Sequence, residues 1–259
     1  MSVLKTGLAI GTPQMGVWLN LGSAVSAEIA SLAGYDWLLI DLEHGSGDYR
    51  DLSQQLWAAQ AGEASAIVRV TALSAPDIKR VLDLGPHGVM LPNIETVEQA
   101  VSAVEAVRIP PLGLRGAATS TRASLYGYGY EAYISEANSS ILLVVQIESV
   151  TGLANAAEIA AVEGIDVLFV GPLDLSISMG IQEPQQDERF RDALLSVVQA
   201  ANRSNKAAGI LARNEAEAEL YLSMGFRLLA SGSDRGILAA TMRKGAAALK
   251  ALASKTTQV

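Results

Sequence analysis

The chain has 259 residues, half of them apolar, which is enough to bury the core of one large α/β domain or two small ones. Its formal net charge of −8 argues against a nucleic-acid-binding surface, which requires a basic patch. Cysteine is absent, which excludes disulfides, zinc–thiolate sites and a thiol nucleophile.

The apolar stretches are too short, or too often interrupted, to mark an export or membrane segment. Residues 1–20 contain Lys5, Thr12 and Pro13 and so lack the continuous apolar stretch of a signal peptide. None of the apolar runs reaches the roughly 20 residues that a membrane span requires. We therefore expect a soluble, cytoplasmic protein that binds neither membranes nor nucleic acid.

Short runs of aliphatic and β-branched residues alternate with amphipathic segments along the chain. The runs predict strands at 16–19, 37–40, 66–70, 88–91, 141–147, 167–170, 207–211 and 227–230. The segments between them predict helices at 23–33, 49–61, 75–84, 96–107, 152–162, 188–202, 215–223 and 234–253.

This alternation predicts an α/β fold with parallel strands. Eight repeats in about 250 residues suit a closed (β/α)8 TIM barrel, which we predict as a single domain over residues 1–259. A doubly wound open sheet is the alternative. It is disfavoured because no G-x-G-x-x-G sequence follows a predicted strand.

The connection between the fourth and fifth predicted strands is the longest. After the helix at 96–107, residues 108–140 contain Arg122 and a Tyr/Gly cluster at 126–130. Long connections in compact domains are usually functional or disordered. Because this one has no polar low-complexity bias, we predict an ordered loop.

Polar residues collect where the predicted strands end. In a (β/α)8 barrel this rim, formed by the C-terminal ends of the strands, carries the active site. The residues at the rim are Asp41, Glu43, His44, Arg69, Gln146, Glu148, Gly171, Leu173 and Asp174.

Two of these acids suggest a metal site. Glu148 and Asp174 lie 26 residues apart, about one strand–helix–strand repeat, so the barrel places them on neighbouring strands. Neighbouring anions are costly unless a cation lies between them, and Mg²⁺ takes oxygen ligands while keeping positions for water or substrate. A 2-oxo acid could fill those positions and form a metal-bound enolate. Either acid alone would more often be a helix cap or an ion-pair partner.

Three other residues could take part in this chemistry, and a fourth has a structural interpretation. Arg69 could bind the enolate oxygen from the other side. Histidine suits proton transfer near neutral pH, so His44 is the candidate base and Asp41 could orient its ring. By itself, His44 could equally be a turn residue. Within one subunit, Asp83 is interpreted as a solvated or capping acid at a helix end.

Six motifs, in order along the chain, resemble those of the metal-dependent (class II) 2-oxo acid aldolases. They are WLLIDLEHG at 37–45, VRV at 68–70, LDLG at 82–85, PPLGLRG at 110–116, QIE at 146–148 and FVGPLDLS at 169–176. The resembling enzymes include the 4-hydroxy-2-oxoheptanedioate and 5-keto-4-deoxyglucarate aldolases, and more distantly the citrate lyase β subunit.

The resemblance implies a (β/α)8 barrel that reversibly cleaves a 4-hydroxy-2-oxo acid into pyruvate and an aldehyde. It implies Mg²⁺ or Mn²⁺, with Co²⁺ as an alternative, and no organic cofactor. Residues matching the family's site are the metal ligands Glu148 and Asp174, the enolate-stabilising Arg69, the base His44 with Asp41, and the substrate contacts Gln146, Gly171, Leu173 and Asp174. At Leu173 the contact is the backbone amide, which meets the pyruvate carboxylate.

The resemblance also implies an oligomer. Asp83 matches an acid that reaches a histidine of a neighbouring subunit, and the expected assembly is a hexamer, a dimer of trimers. The last helix, at 234–253, would be exchanged between subunits, and the connection at 108–140 would border the aldehyde side. Residues 93–95, 120–124 and 126–130 depart from the family pattern where aldehyde specificity should be set, so the sequence does not identify the aldehyde.

Other functions remain open at this point. The same residues could serve a decarboxylase or a thioester lyase that acts on a related oxo acid. A non-catalytic barrel that binds an oxo acid is a third possibility, although it would have no reason to retain Glu148, Asp174, Arg69 and His44 together.

Overall fold

Eight parallel strands close into a barrel in the order β1 to β8 in this computed structural model, which describes residues 3–256. The strands are β1 (Gln14–Leu19), β2 (Trp37–Asp41), β3 (Ser65–Arg69), β4 (Gly88–Leu91), β5 (Leu142–Ile147), β6 (Val167–Val170), β7 (Ala207–Ala212) and β8 (Leu228–Ser233). The predicted single-domain (β/α)8 barrel is confirmed, with every predicted strand present and the ends shifted by at most a few residues.

Helices surround the barrel. They are α1 (Val3–Ala9), α2 (Ala24–Leu32), α3 (Tyr49–Ala58), α4 (Ala75–Asp83), α5 (Val97–Val107), α6 (Tyr130–Ser140), α7 (Val150–Ala154), α8 (Ala156–Ala161), α9 (Pro172–Ser178), α10 (Glu188–Arg203), α11 (Glu215–Met224) and α12 (Asp234–Thr256). The helix predicted at 152–162 is divided into α7 and α8 at Asn155. Helices α1, α6 and α9 were not predicted, because each lacks a long amphipathic repeat.

Alternation along the strands places polar residues in the uppermost layer of the barrel interior. Trp37 and Leu39 of β2 belong to the buried interior cluster, as do Val144 of β5 and Phe169 of β6. Side chains two residues apart point to the same face of a strand, so the next inward positions are Asp41, Gln146 and Gly171. Leu4 of α1, 1% exposed, belongs to the same cluster and closes the opposite end.

The long connection takes a different path from the one we expected. Residues 108–140 include a short 3-10 helix, Arg122–Gly127, and then α6, which leads into β5. The Arg122 guanidinium donates to the carbonyl oxygens of Leu84 (2.5 Å) and Leu56 (3.4 Å), near the ends of α4 and α3. The part of the segment around Arg122 therefore lies at the N-terminal rim, where α3 and α4 end and from which β5 begins. None of residues 108–140 lines the cavity at the C-terminal rim of the same barrel.

Helix α12 begins over the mouth of the barrel and then lies in solvent. The Asp234 carboxylate fastens its first turn by accepting hydrogen bonds from the backbone N–H of Asn20 (2.8 Å) and the hydroxyl of Ser26 (2.7 Å). From Arg235 to Ala253 its residues are exposed. Of the helices in the part of the chain that the structure describes, none combines the length and the apolar character that crossing a membrane requires.

Candidate active site

A cavity of about 600 Å³ opens at the C-terminal rim of the barrel. The residues that sequence reasoning placed at this rim and that line the cavity are Asp41, His44, Arg69, Gln146, Gly171, Leu173 and Asp174. Its apolar wall is formed by Trp18, Phe169 and Leu211, among others. The cavity therefore combines an apolar wall with a small set of convergent polar groups, which is typical of small-molecule sites.

Arg69 is held on several sides by neighbouring residues. Asp41 and Arg69 are register partners at the ends of β2 and β3, and their side chains form a two-point ion pair. The Asp41 carboxylate accepts from Arg69 Nε at 2.9 Å and from Nη2 at 2.7 Å. Arg69 Nη1 lies 2.8 Å from Glu43 Oε2, and the guanidinium lies 5.2 Å from the Trp18 ring centroid. These contacts fix the plane of the guanidinium, as bidentate pairing does generally.

The ion pair with Arg69 stabilises the ionised form of Asp41. Burial by itself would raise the pKa of Asp41, but the hydrogen bonds and charge of Arg69 lower it below its usual value. The same carboxylate also accepts from Trp18 Nε1 at 3.2 Å and from Asn20 Nδ2 at 2.7 Å. Asp41 is thus a buried anion that holds Arg69 in place.

The expected pairing of Asp41 with the His44 imidazole is corrected by the geometry. Asp41 Oδ1 accepts from the backbone N–H of His44 at 3.3 Å and of Glu43 at 3.0 Å, so its contact with His44 runs through the main chain. The physical reason is that a buried carboxylate beside a guanidinium fills its lone pairs there first. His44 itself is exposed and lines the cavity.

Glu148 lies behind Gln146 and Gly171, two residues that line the cavity, and is 6% exposed. Its Oε1 accepts from the backbone N–H of Asn93 at 2.8 Å, and its Oε2 accepts from Gln146 Nε2 at 3.0 Å. Gly171 makes room for this carboxylate, because a side chain there would overlap Oε2 and place its Cβ 3.0 Å from the Glu148 Cβ. Burial raises the pKa of Glu148 to about 7, the Asn93 amide opposes the shift, and the charge of Asp174 adds to it.

Asp174 lies in the first turn of α9, exposed at the mouth of the cavity. Its charge acts on Glu148 and on Glu43, so three carboxylates repel one another around one space. Among the described residues, no group of three or more His, Asp or Glu is arranged to hold a metal. The protein's ligands for a metal at this site would be two carboxylates, those of Glu148 and Asp174. This set fits a hard divalent ion that completes its shell with water or substrate, and such an ion would relieve the repulsion.

Gln146 and Leu173 complete the part of the site where the predictions placed substrate contacts. Gln146 is 2% exposed and connects the two charged sides: its Nε2 donates to Glu148, and its Oε1 lies 3.4 Å from Arg69 Nη1. Leu173 precedes Asp174 in the first turn of α9, with its side chain 68% exposed. Gln146 thus bridges Arg69 and Glu148, and Leu173 lies next to Asp174 in the chain.

Asp83 is the predicted site residue that the structure does not bring to this cavity. It ends α4 at the opposite rim, half-buried, where burial raises its pKa while the charges of Arg115 and Lys79 oppose the shift. A contact with a catalytic histidine would need a second copy of the chain.

The family model described as HpcH/HpaI aldolase/citrate lyase matches residues 14–241. The chain belongs to this family.

Individual family members cover nearly the whole chain. The chain is 39% identical to the 5-keto-4-deoxy-D-glucarate aldolase of Klebsiella pneumoniae over 95% of this chain and 96% of that protein. It is 41% identical to the hydroxypyruvate/pyruvate aldolase of Deinococcus radiodurans, over 96% and 90% of the two chains. The predicted family and the prediction that the protein is an aldolase are thereby confirmed.

Solved structures of the family superpose closely on the barrel. An HpcH/HpaI family protein from Burkholderia cenocepacia has a TM-score of 0.91 and 37% identity, covering 96% of this chain and all of the other. Macrophomate synthase has a TM-score of 0.84 and 26% identity, covering 97% of this chain and 89% of its own. Enzymes of the HpcH/HpaI family generally depend on a divalent metal, in agreement with the carboxylate pair.

Two further residues in this HpcH/HpaI barrel serve the site, although sequence reasoning did not give them a role. The sequence places Glu43 at the rim without a role, and the structure shows that it forms the second ion pair of Arg69. The sequence feature that could have indicated this role is an acidic residue two positions after Asp41. Asn93 supports Glu148 through its backbone amide and has a left-handed φ of 53°. Its only signal was an asparagine after a strand, a residue type that tolerates this conformation.

Proposed function

We propose that this protein reversibly cleaves a 4-hydroxy-2-oxo acid into pyruvate and an aldehyde, with a divalent metal ion held by Glu148 and Asp174. The observation that carries this proposal is the pairing, across one cavity, of a rigidly held arginine with two mutually repelling carboxylates. A 2-oxo acid needs both: cationic charge at its carbonyl oxygen and ligands for a Lewis acid.

Arg69 would contribute by binding the carbonyl oxygen of the oxo acid, where negative charge grows as the carbon–carbon bond breaks. Its guanidinium needs little reorganisation for this, because Asp41 and Glu43 already fix it. Gln146, between Arg69 and Glu148, would orient the oxo acid between the two. The backbone amide of Leu173 would meet its carboxylate at the start of α9.

His44 would remove the proton from the 4-hydroxyl group, directly or through a water molecule. It suits this role because it is the imidazole at the cavity mouth, exposed and next to the space that the substrate fills. Asp41 would contribute indirectly, by holding the main chain of residues 43 and 44 through its hydrogen bonds.

The metal would supply Lewis-acid polarisation of the oxo acid. We propose Mg²⁺ or Mn²⁺, with Co²⁺ as a possible replacement, because the ligand oxygens favour hard ions. We propose no organic cofactor, and we place the protein in the cytoplasm, where small oxo acids are metabolised.

We also propose that the protein is a homo-oligomer, a hexamer built as a dimer of trimers in which α12 is exchanged between copies. The support is the long exposed helix α12, which carries Ile237, Leu238, Met242, Leu249 and Leu252 toward solvent. Asp83, remote from its own cavity, would reach the histidine of a neighbouring copy. Sedimentation velocity would test this, since a monomer at micromolar concentration would contradict it.

The activity is tested by incubating chelator-treated protein with pyruvate, a restored divalent ion and a panel of aldehydes. The proposal expects metal-dependent condensation products, and the reverse reaction from the purified product. Release of CO2 without use of an aldehyde would indicate the decarboxylase alternative, and a thioester substrate in the panel covers the thioester lyase. Pyruvate binding without any product would indicate a non-catalytic barrel.

A further inference from the structure

A second cavity, of about 400 Å³, opens at the end of the barrel opposite the active site; we call it the basal cavity. Three of the charged residues that line it each precede a strand directly: Asp166 before β6, Lys206 before β7 and Arg227 before β8. Adjacent parallel strands begin at the same rim, so these side chains converge. Lys5 of α1 joins them from the other side.

The one carboxylate of this group, that of Asp166, already forms ion pairs with other residues. It lies 2.9 Å from Lys5 Nζ and 3.3 Å from Arg108 Nη2, and it accepts from the backbone N–H of Leu143 at 2.8 Å. The cavity is therefore lined by three cationic side chains, Lys5, Lys206 and Arg227, and by this one carboxylate. This excess is opposite in sign to the net charge of the whole chain, which is −8.

Lys206 and Arg227 carry the surplus positive charge. Across the described residues, neither forms an ion pair with a carboxylate. Arg227 donates through Nη1 to the carbonyl oxygens of Phe226 (2.8 Å) and Leu222 (3.3 Å), and within the described part of the chain its Nε and Nη2 donate no hydrogen bond. Burial lowers the pKa of Lys5, Asp166 opposes the shift, and the charge of Lys206 lowers the pKa further.

The rim of the cavity adds neutral donors. Asn202 near the end of α10 and Asn205 in the following turn both line it, and both are exposed. An anion between Lys206 and Arg227 would therefore meet an ammonium, the free edge of a guanidinium and two side-chain amides. Charge-assisted hydrogen bonds of this kind are stronger than neutral ones.

We propose that the basal cavity is a binding site for a small dianion, held by Lys206 and Arg227 with the amides of Asn202 and Asn205. A dianion matches the excess of more than one positive charge, which a monoanion such as chloride leaves partly unbalanced. The volume admits a phosphate group or a short dicarboxylate. The site is independent of the aldolase activity, which uses the other end of the barrel.

Isothermal titration of the full-length, chelator-treated protein at about pH 8 tests this site, with inorganic phosphate in one arm and malonate in the other. Chloride holds the ionic strength constant, because surface electrostatics are screened by salt. The variant is Lys206→Gln. The matched control is Arg191→Gln, which removes the same charge from an exposed position at the other end of α10.

Binding of at least one dianion should be about tenfold weaker in Lys206→Gln and unchanged in Arg191→Gln, as expected for one lost charge-assisted hydrogen bond. Lys206→Arg should restore most of the affinity, which a change in folding alone would not do. The arm that binds more tightly identifies the dianion as tetrahedral or dicarboxylate. No binding of either anion at millimolar concentration, or equal affinity in the wild type and Lys206→Gln, would overturn the proposal.

Discussion

Replacing Glu148 by Gln should stabilise the metal-free protein at alkaline pH while it removes a metal ligand. Burial raises the pKa of Glu148 from 4.5 to about 7, so the folded state resists losing this proton. Between these two values the folded state binds more protons than the unfolded state, and stability therefore falls as the pH rises. The cost of the buried charge is absent at acidic pH and complete somewhat above pH 7.

The magnitude follows from the size of the shift. A pKa displaced from 4.5 to about 7 corresponds to about 3 kcal/mol once the group is fully ionised in both states. For a chain of this size, 1 kcal/mol moves the melting temperature by about 2–4 °C, so the total effect is about 6–12 °C. Loss of the hydrogen bond from Gln146 subtracts about 1 kcal/mol from the variant at every pH, and so leaves the pH dependence intact.

The assay is the melting temperature of both proteins in chelator, followed by tryptophan fluorescence from about pH 5 to pH 8.5. The melting temperature of Glu148→Gln should exceed that of the wild type by an amount that grows steadily with pH. Saturating Mg²⁺ or Mn²⁺ should remove this difference by stabilising the wild type alone. Glu158→Gln, at an exposed position on α8, controls for the loss of one charge. Parallel curves for the wild type and Glu148→Gln over the whole range would refute the reasoning.

Three further substitutions probe the same site. In Gly171→Ala the new methyl group displaces the buried glutamate, so calorimetry should show Mn²⁺ binding weakened by more than about tenfold; unchanged affinity would contradict this role of the glycine. Arg69→Ala should lower kcat by about 10²–10³-fold, as loss of an oxyanion donor does. It should also cost about 3–5 kcal/mol of stability in urea unfolding, because Asp41 is left as an unpaired buried charge. Asp174→Ala should abolish metal-dependent pyruvate formation with less than about 0.5 kcal/mol change in stability, since the side chain is exposed; full activity in the variant would reject its assignment as a ligand.

Local patterns were sufficient to predict the barrel and the rim on which the candidate site lies. Each strand was visible as a run of β-branched and aliphatic residues, and alternation within the runs determines which side chains face inward. Asp41 and Gln146 follow buried inward positions at intervals of two, so they had to enter the top layer of the interior. Parallel strands share one polarity, which is why the position of Arg69 at a strand end was enough to group it with them.

The helices that were not predicted show which elements local sequence patterns do not identify. Helix α9 has seven residues, among them Pro172 and Asp174, and so is too short for a periodic signal. Helix α6 follows a cluster of Tyr and Gly that indicated a loop. Short elements of this kind are stabilised by the packing around them more than by their own propensity, so a single sequence carries little information about them.

What the sequence by itself determined is the set of chemical groups and the rim of the barrel on which most of them lie. Only the tertiary structure decided how they pair: Asp41 with Arg69 instead of the His44 ring, Glu148 with the amide of Asn93, and Arg122 with a carbonyl oxygen at the end of α4. The physical reason is that pairing and pKa depend on burial and on neighbours distant in sequence. Strand periodicity orients a side chain, but it does not specify which distant group that side chain meets.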